Sequence, residues 1–160
     1  MQSIYFVDSN FTYESSKISI LCIRYATDGF SFCVHDETGK LVVFVHEPYA
    51  ADSREAAVAR LKNYVVNDAI LNLRFKKVYI MPCFKEKLLV PGAFFDKANI
   101  TTLYTVNQEV SPDDTILYHH IEGIEAYLVE TVISSFHDFV REHFPVFQIV
   151  NGAYPFILGA

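Results

Sequence analysis

Ile18-Ser19-Ile20-Leu21-Cys22-Ile23-Arg24-Tyr25, then Ala26-Thr27-Asp28-Gly29, then Phe30-Ser31-Phe32-Cys33-Val34-His35-Asp36: this stretch decides the fold. Its two outer runs are rich in β-branched and aromatic side chains, which suit a pleated, half-buried surface. Between them, Asp28-Gly29 tolerates the positive φ angles that a tight hairpin turn demands. A turn centred there would set Cys33 opposite Arg24 and Cys22 opposite His35, all on one face. Glu37-Thr38-Gly39-Lys40 reads as a second turn, and Leu41 to His46 as a third strand. Three strands joined by tight turns make an antiparallel meander.

Outward from the meander the pattern changes. Pro48 to Asp52 breaks the sheet, Asp52 reads as a helix N-cap, and Glu55 is spaced to close a capping box. Val58, Leu61 and Val65 then recur at helical spacing, giving a helix of about five turns that ends near Leu71. Lys76 to Met81 follows as a short strand, so the sheet is mixed and carries helices. Residues 82–131 form an insertion: Leu88-Leu89-Val90 extended, a helical turn over Gly92 to Asp96, a polar loop from Asn107 to Asp114. Strands Thr115–Ile121 and Ala126–Val132 then join through Glu122-Gly123. Ser134 caps a helix carrying Phe136, Phe139, Val140 and Phe144, and Pro145 closes it. Val146 to Val150 is a last strand, and Tyr154-Pro155 opens a connecting helix with Pro in its first turn. Upstream, residues 1–16 read as a loosely packed arm, which leaves 17–160 as a single lobe.

Composition narrows the classes. With 160 residues the chain is one domain, and 51% hydrophobic residues exclude disorder. Thirteen Lys and Arg against 19 Asp and Glu leave a net charge of −6, which argues against nucleic acid and anionic membrane as partners. No apolar run reaches the ~18 residues of a membrane span, so no direct insertion is expected. The N-terminus lacks the basic stretch and cleavage site of a signal peptide. Cys22, Cys33 and Cys83 are odd in number and lack metal-ligand spacing, which suits reduced thiols in the cytoplasm.

The element order is three antiparallel strands, a helix, a strand, an insertion, a helix and a strand. It resembles a ribonuclease H-like lobe, the repeating half of the actin-like ATPase superfamily that includes actin, sugar kinases and Hsp70 chaperones. More closely, the chain resembles a bacterial family of unknown function with the actin-like ATPase fold. Leu21 to Tyr25 leading to Asp28 to Phe32, Leu89-Val90-Pro91 before Phe94-Phe95-Asp96, and Phe144-Pro145 before the last strand carry that likeness. It covers most of residues 17–160 and implies a two-lobed protein of which this chain supplies the first lobe.

The chemistry that the likeness implies is tested by its residues. An actin-like ATPase wraps phosphates with a hairpin of the form Asp-x-Gly-Ser/Thr, where Asp orders Mg²⁺ and Gly admits the phosphate to the backbone. Here Arg24 stands at the metal-side position and Ala26 at the close-approach position, followed by Thr27, Asp28 and Gly29. The Asp28 carboxylate repels a polyphosphate unless a cation intervenes. The pattern is that of a degenerate phosphate hairpin kept for folding, with Mg-ATP binding the remaining alternative.

Two-metal nuclease chemistry fails as well, because neither Ile18–Tyr25 nor Lys76–Met81 holds a carboxylate. His119-His120 sit on one strand and point to opposite faces, and His137 and His143 lack the i, i+4 spacing of a helical metal pair. No metal site is therefore expected. Cys22 and Cys33 are candidate reactive thiols, weighed against the commoner role of Cys as a small core side chain. Lys85 and Lys87 around Glu86 read as a solvated rim. The expectation is a non-catalytic interaction or scaffold module that meets a protein partner or a second copy through the apolar Phe156-Ile157-Leu158 segment. The alternatives are an ATP-binding enzyme or switch completed by a second lobe, and a thiol enzyme.

Overall fold

The computed structural model describes residues 2–151. In chain order the elements are β1 (Ile4–Val7), α1 (Tyr13–Ser16), β2 (Ile20–Ala26), β3 (Gly29–His35), β4 (Leu41–Pro48), α2 (Arg54–Asn67), β5 (Lys77–Pro82) and β6 (Lys87–Pro91). Two 3-10 turns follow, Gly92–Phe94 and Lys97–Asn99, then α3 (Ile100–Asn107), β7 (Asp114–Ile121), β8 (Ala126–Ile133), α4 (Ser134–His143) and β9 (Phe147–Ile149). Six strands form one mixed sheet in the order β1-β4-β3-β2-β5-β9, and the insertion builds its own sheet in the order β6-β8-β7. The meander is antiparallel throughout, whereas β5 joins β2, and β9 joins β5, in parallel.

Alternation along β2 and β3 sorts their side chains between the two faces of the large sheet. Leu21, Ile23, Tyr25, Phe30, Phe32 and Val34 point to one face and are almost wholly buried. Val58, Leu61 and Val65 of α2 and Phe136 and Val140 of α4 complete that core. The other face carries Ile20, Cys22, Arg24, Ser31, Cys33, His35, Phe44 and Tyr79, all half-buried. Among the described residues its apolar members Ile20, Phe44 and Tyr79 belong to neither of the two core clusters.

The hairpin register differs from the expected one by two residues. Ala26 pairs with Gly29, so Thr27-Asp28 form the turn and Gly29 belongs to the strand; Cys22 faces Cys33, Arg24 faces Ser31, and Ile20 faces His35. The Thr27 and Asp28 carbonyls accept hydrogen bonds from the Ala51 and Tyr49 N–H groups at 2.8 and 3.2 Å, which ties the turn to the chain after β4. Gly29 has φ +146°, and a Cβ there would lie 2.7 Å from the Glu47 carbonyl oxygen. Glycine is thus required twice, by its positive φ and by the closeness of the neighbouring strand.

Other boundaries also move. The expected arm is largely ordered structure: β1 pairs antiparallel with β4, and α1 is closed by a reciprocal Thr12–Ser15 capping box. β4 would otherwise present an unpaired edge, which explains why so short a strand is recruited. Ser53, not Asp52, caps α2, its Oγ accepting the Ala56 N–H at 3.1 Å. The helix stops at Asn67 because Asp68 takes an extended backbone and its carboxylate accepts the Ile70 and Leu71 N–H groups. Ser134 is the first residue of α4 and not its cap, and its Oγ bonds Thr115 instead. α3 lies where no helix was expected. Its Ile100 and Tyr104 pack on Val90 and Val129 of the small sheet, and the Tyr104 hydroxyl donates to the Glu86 carbonyl at 2.8 Å.

Candidate functional site

The parallel strands β2, β5 and β9 run in the same direction, so their carboxyl ends converge on one edge of the lobe. Open α/β sheets gather ligands at such ends. A cavity of about 410 Å³ opens there, lined by Arg24, Ala26, Thr27 and Asp28 of the hairpin and by Cys83 to Glu86 after β5. The fold thus brings four of the five hairpin candidates to one cavity; Gly29 lies behind them, against β4.

Two of the cavity's charges, both from the hairpin, lie side by side. Arg24 Nη2 lies 3.7 Å from Asp28 Oδ1, in a pair whose side chains are 40% and 70% exposed. So exposed a pair adds little stability, but it occupies the cation at the position where a phosphate-binding hairpin keeps its metal-ordering carboxylate. Lys85 and Glu86 are exposed on the far wall, as the rim reading has it.

Lys87 departs from that rim. It turns inward, its Nζ 3.0 Å from the Pro82 carbonyl, 3.1 Å from Asn151 Oδ1 and 3.1 Å from Glu130 Oε2. Glu130 is 2% exposed and also accepts from Asn151 Nδ2 at 2.9 Å. His119 Nε2 approaches Glu130 Oε1 to 3.2 Å without hydrogen-bond alignment, so it counts as an electrostatic contact only. Burial, and after it the Glu130 carboxylate, push the Tyr25 phenol well above its ordinary value of 10.0. This network was missed from sequence, although Glu130 is the one charged residue of β8. A buried charge of this kind needs its partner: losing either member strands the other.

A second buried pair fastens the insertion to the lobe. Arg54, at the start of α2, reaches Asp114 Oδ1 at 2.6 Å and also donates to the Thr131 hydroxyl. Both networks are largely buried; one ties the small sheet to α2, the other to the end of β5 and to Asn151 beyond β9.

On the half-buried face, strand pairing gathers residues that are far apart in sequence. Cys22 and Cys33 face each other, and His35 lies two residues beyond Cys33 on the same side; their ligand atoms all lie within 4.8 Å of one another. The first proton is lost from a shared pair. The Cys33 thiol supports a Cys22 thiolate and holds it below the usual value, while that thiolate, together with burial, raises Cys33 well above it. Arg24 is not their direct cross-strand partner. Ser31 Oγ and His46 Nδ1, at 2.9 Å, complete the polar part of this face.

His119 and His120 point apart, the latter toward Glu125 and the Tyr127 ring. His137 meets Phe147, and His143 stacks on Phe139. Cys83 lines the cavity, half-buried. Phe156, Ile157 and Leu158, and the expected helix at Tyr154-Pro155, lie outside the described residues. Among the described residues, no helix is long and apolar enough to cross a membrane.

The architecture matches a known fold. A crystal structure from Bacteroides thetaiotaomicron VPI-5482, described as a protein with actin-like ATPase fold and unknown function, superposes with a TM-score of 0.81 at 23% identity. The match covers 93% of this chain and 58% of that one, so the chain spans little more than half of its neighbour's length. The ribonuclease H-like, actin-like assignment therefore holds at the level of fold. The Argonaute of Marinitoga piezophila in complex with a 5′ OH guide RNA aligns over 79% of this chain and 26% of its own, at 10% identity. Its TM-score of 0.31 carries no weight. No curated protein matches the chain. Residues 8–160 match the family described as "Protein of unknown function (DUF3822)", and the chain belongs to that family.

Proposed function

We propose, on the premise of membership in this family, that the chain is a non-catalytic interaction lobe built on a degenerate actin-like fold. The observation that carries the proposal is the self-neutralised hairpin. Where a phosphate-binding loop needs a carboxylate for Mg²⁺, Arg24 stands paired with Asp28, and the other charges of the cavity wall, Lys85 and Glu86, are of opposite sign, so the lining carries no net charge to draw a polyphosphate. The role left to the lobe is contact with a protein partner in the bacterial cytoplasm. The apolar Phe156-Ile157-Leu158 segment is proposed as part of that surface, and a homodimer is the simplest partner.

A thermal-shift titration with ATP and ADP, with and without Mg²⁺ and confirmed by calorimetry, tests the proposal. The expected result is no shift at millimolar nucleotide. A magnesium-dependent stabilisation overturns it in favour of the second reading, a nucleotide-binding lobe completed by another. That second reading draws on the cavity at the strand ends and on the 58% coverage of the neighbour. For the partner surface, Phe156→Ser and Leu158→Ser should lower the sedimentation coefficient toward that of a monomer; an unchanged coefficient removes the homodimer.

A further inference from the structure

Cys22, Cys33 and His35 come from two adjacent strands and converge on the half-buried face of the large sheet, away from the cavity at the strand ends. We infer that these three side chains form a binding site for one Zn²⁺ ion, with two sulfur ligands, one imidazole nitrogen and a fourth position left to water.

The geometry follows from the corrected register. Residues two apart on a strand share a face, which places His35 beside Cys33, and direct cross-strand pairing places Cys22 opposite Cys33. Cys33 Sγ and His35 Nδ1 stand 4.0 Å apart, and the three ligand atoms all fall within 4.8 Å of one another. Tetrahedral zinc with Zn–S near 2.3 Å and Zn–N near 2.0–2.1 Å needs about 3.8 Å between sulfurs and about 3.6 Å from sulfur to nitrogen. Closing the present set onto an ion takes a contraction of about 0.4 Å between Cys33 and His35 and of about 1.2 Å or less for the other pairs.

The donor set selects the metal. Two thiolates and an imidazole suit a thiophilic cation and are poor ligands for Mg²⁺ or Ca²⁺, which take oxygen. Two thiolates balance the charge of Zn²⁺, so the bound centre is neutral. Of the cations on this face, Arg24 lies 3.7 Å from the Asp28 carboxylate and Lys77 Nζ sits over the Tyr79 ring. All three residues are half-buried, which leaves a path for the ion and room for the fourth ligand.

The test uses the 160-residue chain, reduced with a phosphine and freed of metal. Zn²⁺ is titrated against a chromogenic zinc chelator, and Co²⁺ is added separately as a spectroscopic probe. The expected results are one equivalent of Zn²⁺ withheld from the chelator and a thiolate-to-cobalt charge-transfer band. Cys22→Ser, Cys33→Ser and His35→Ala should each weaken Zn²⁺ binding by about tenfold or more, while Cys83→Ser leaves it unchanged. Alkylation of the unmutated chain, read by mass spectrometry, covers the case of a variant that fails to fold: Zn²⁺ should protect Cys22 and Cys33 but not Cys83. The inference is overturned if the chelator takes all the zinc, if Co²⁺ gives no thiolate band, or if zinc slows alkylation of all three cysteines alike.

Discussion

The two faces of the large sheet come from the same strands and differ in almost every physical respect. On one, Leu21, Ile23, Phe32, Val34, Val43 and Val45 lie at or below 1% exposure beneath α2 and α4. On the other, the alternate positions hold Cys22, Arg24, Ser31, Cys33, His35 and His46 among Phe44 and Tyr79, all half-buried. Helix packing fills the first face with aliphatic and aromatic groups; the second keeps thiols, imidazoles and a guanidinium within reach of solvent. Stability resides on the first face, and chemistry has room only on the second and at the strand ends.

The sharpest way to break that contrast is to truncate one phenylalanine on each face. Phe32→Ala, under α2, should cost about 3–5 kcal/mol, read from chemical denaturation. Phe44→Ala, on the half-buried face, should cost about 1 kcal/mol. Equal losses would mean that both faces are covered to the same degree. A smaller effect tests the hairpin between the faces. Gly29→Ala forces a Cβ to within 2.7 Å of the Glu47 oxygen at φ +146°, and should cost about 2 kcal/mol. A melting temperature unchanged by it would show that the β3–β4 seam yields.

The smallest effect concerns pH. Burial first, and then the Asp68 carboxylate, push the Tyr64 phenol from its ordinary 10.0 up to about 12. Its pKa is raised on folding, so its contribution is complete below pH 10 and is lost as pH rises from 10 toward about 12. Tyr64→Phe, which keeps the ring against Phe30, should flatten the alkaline limb of the stability curve without moving it at neutral pH. An alkaline limb that stays as steep would assign the effect to other groups.

Much of this contrast was legible in the sequence, and the failures have physical causes. The sequence reading put Cys22, Arg24, Cys33 and His35 on one face of the meander, and they share the half-buried face. Moving the turn by one residue, from Asp28-Gly29 to Thr27-Asp28, shifts the cross-strand pairing by two, which exchanges partners and preserves faces. Face assignment therefore survived while the Cys22–Cys33 pairing, and with it the thiol–imidazole cluster, stayed hidden. Spacing rules for metal ligands look along the chain, and these ligands meet across it. α3 was invisible for another reason. Ile100-Thr101-Thr102-Leu103-Tyr104-Thr105-Val106 is rich in β-branched residues, and only packing on the small sheet, with the Tyr104 bond to Glu86, makes it helical. The Glu130–Lys87 network joins strands of the insertion to the end of β9, a meeting that no local pattern encodes. The hairpin's departures at Arg24 and Ala26 were plain from sequence; their shared cavity with Cys83 to Glu86 was not.

The parallel seam between β2 and β5 also matters while the protein is being made. β2 lies in the interior of the sheet, but its β5 partner begins only at Lys77, after the meander and all of α2 have been synthesised. At ordinary translation speeds that interval is on the order of several seconds. Throughout it the nascent meander presents the backbone of Ile20–Ala26 as an unpaired edge, backed by the apolar Leu21, Ile23 and Tyr25. Nascent chains on neighbouring ribosomes of one message would pair through such edges, so chaperone cover during that interval should decide the yield of this fold more than the stability of the finished sheet does.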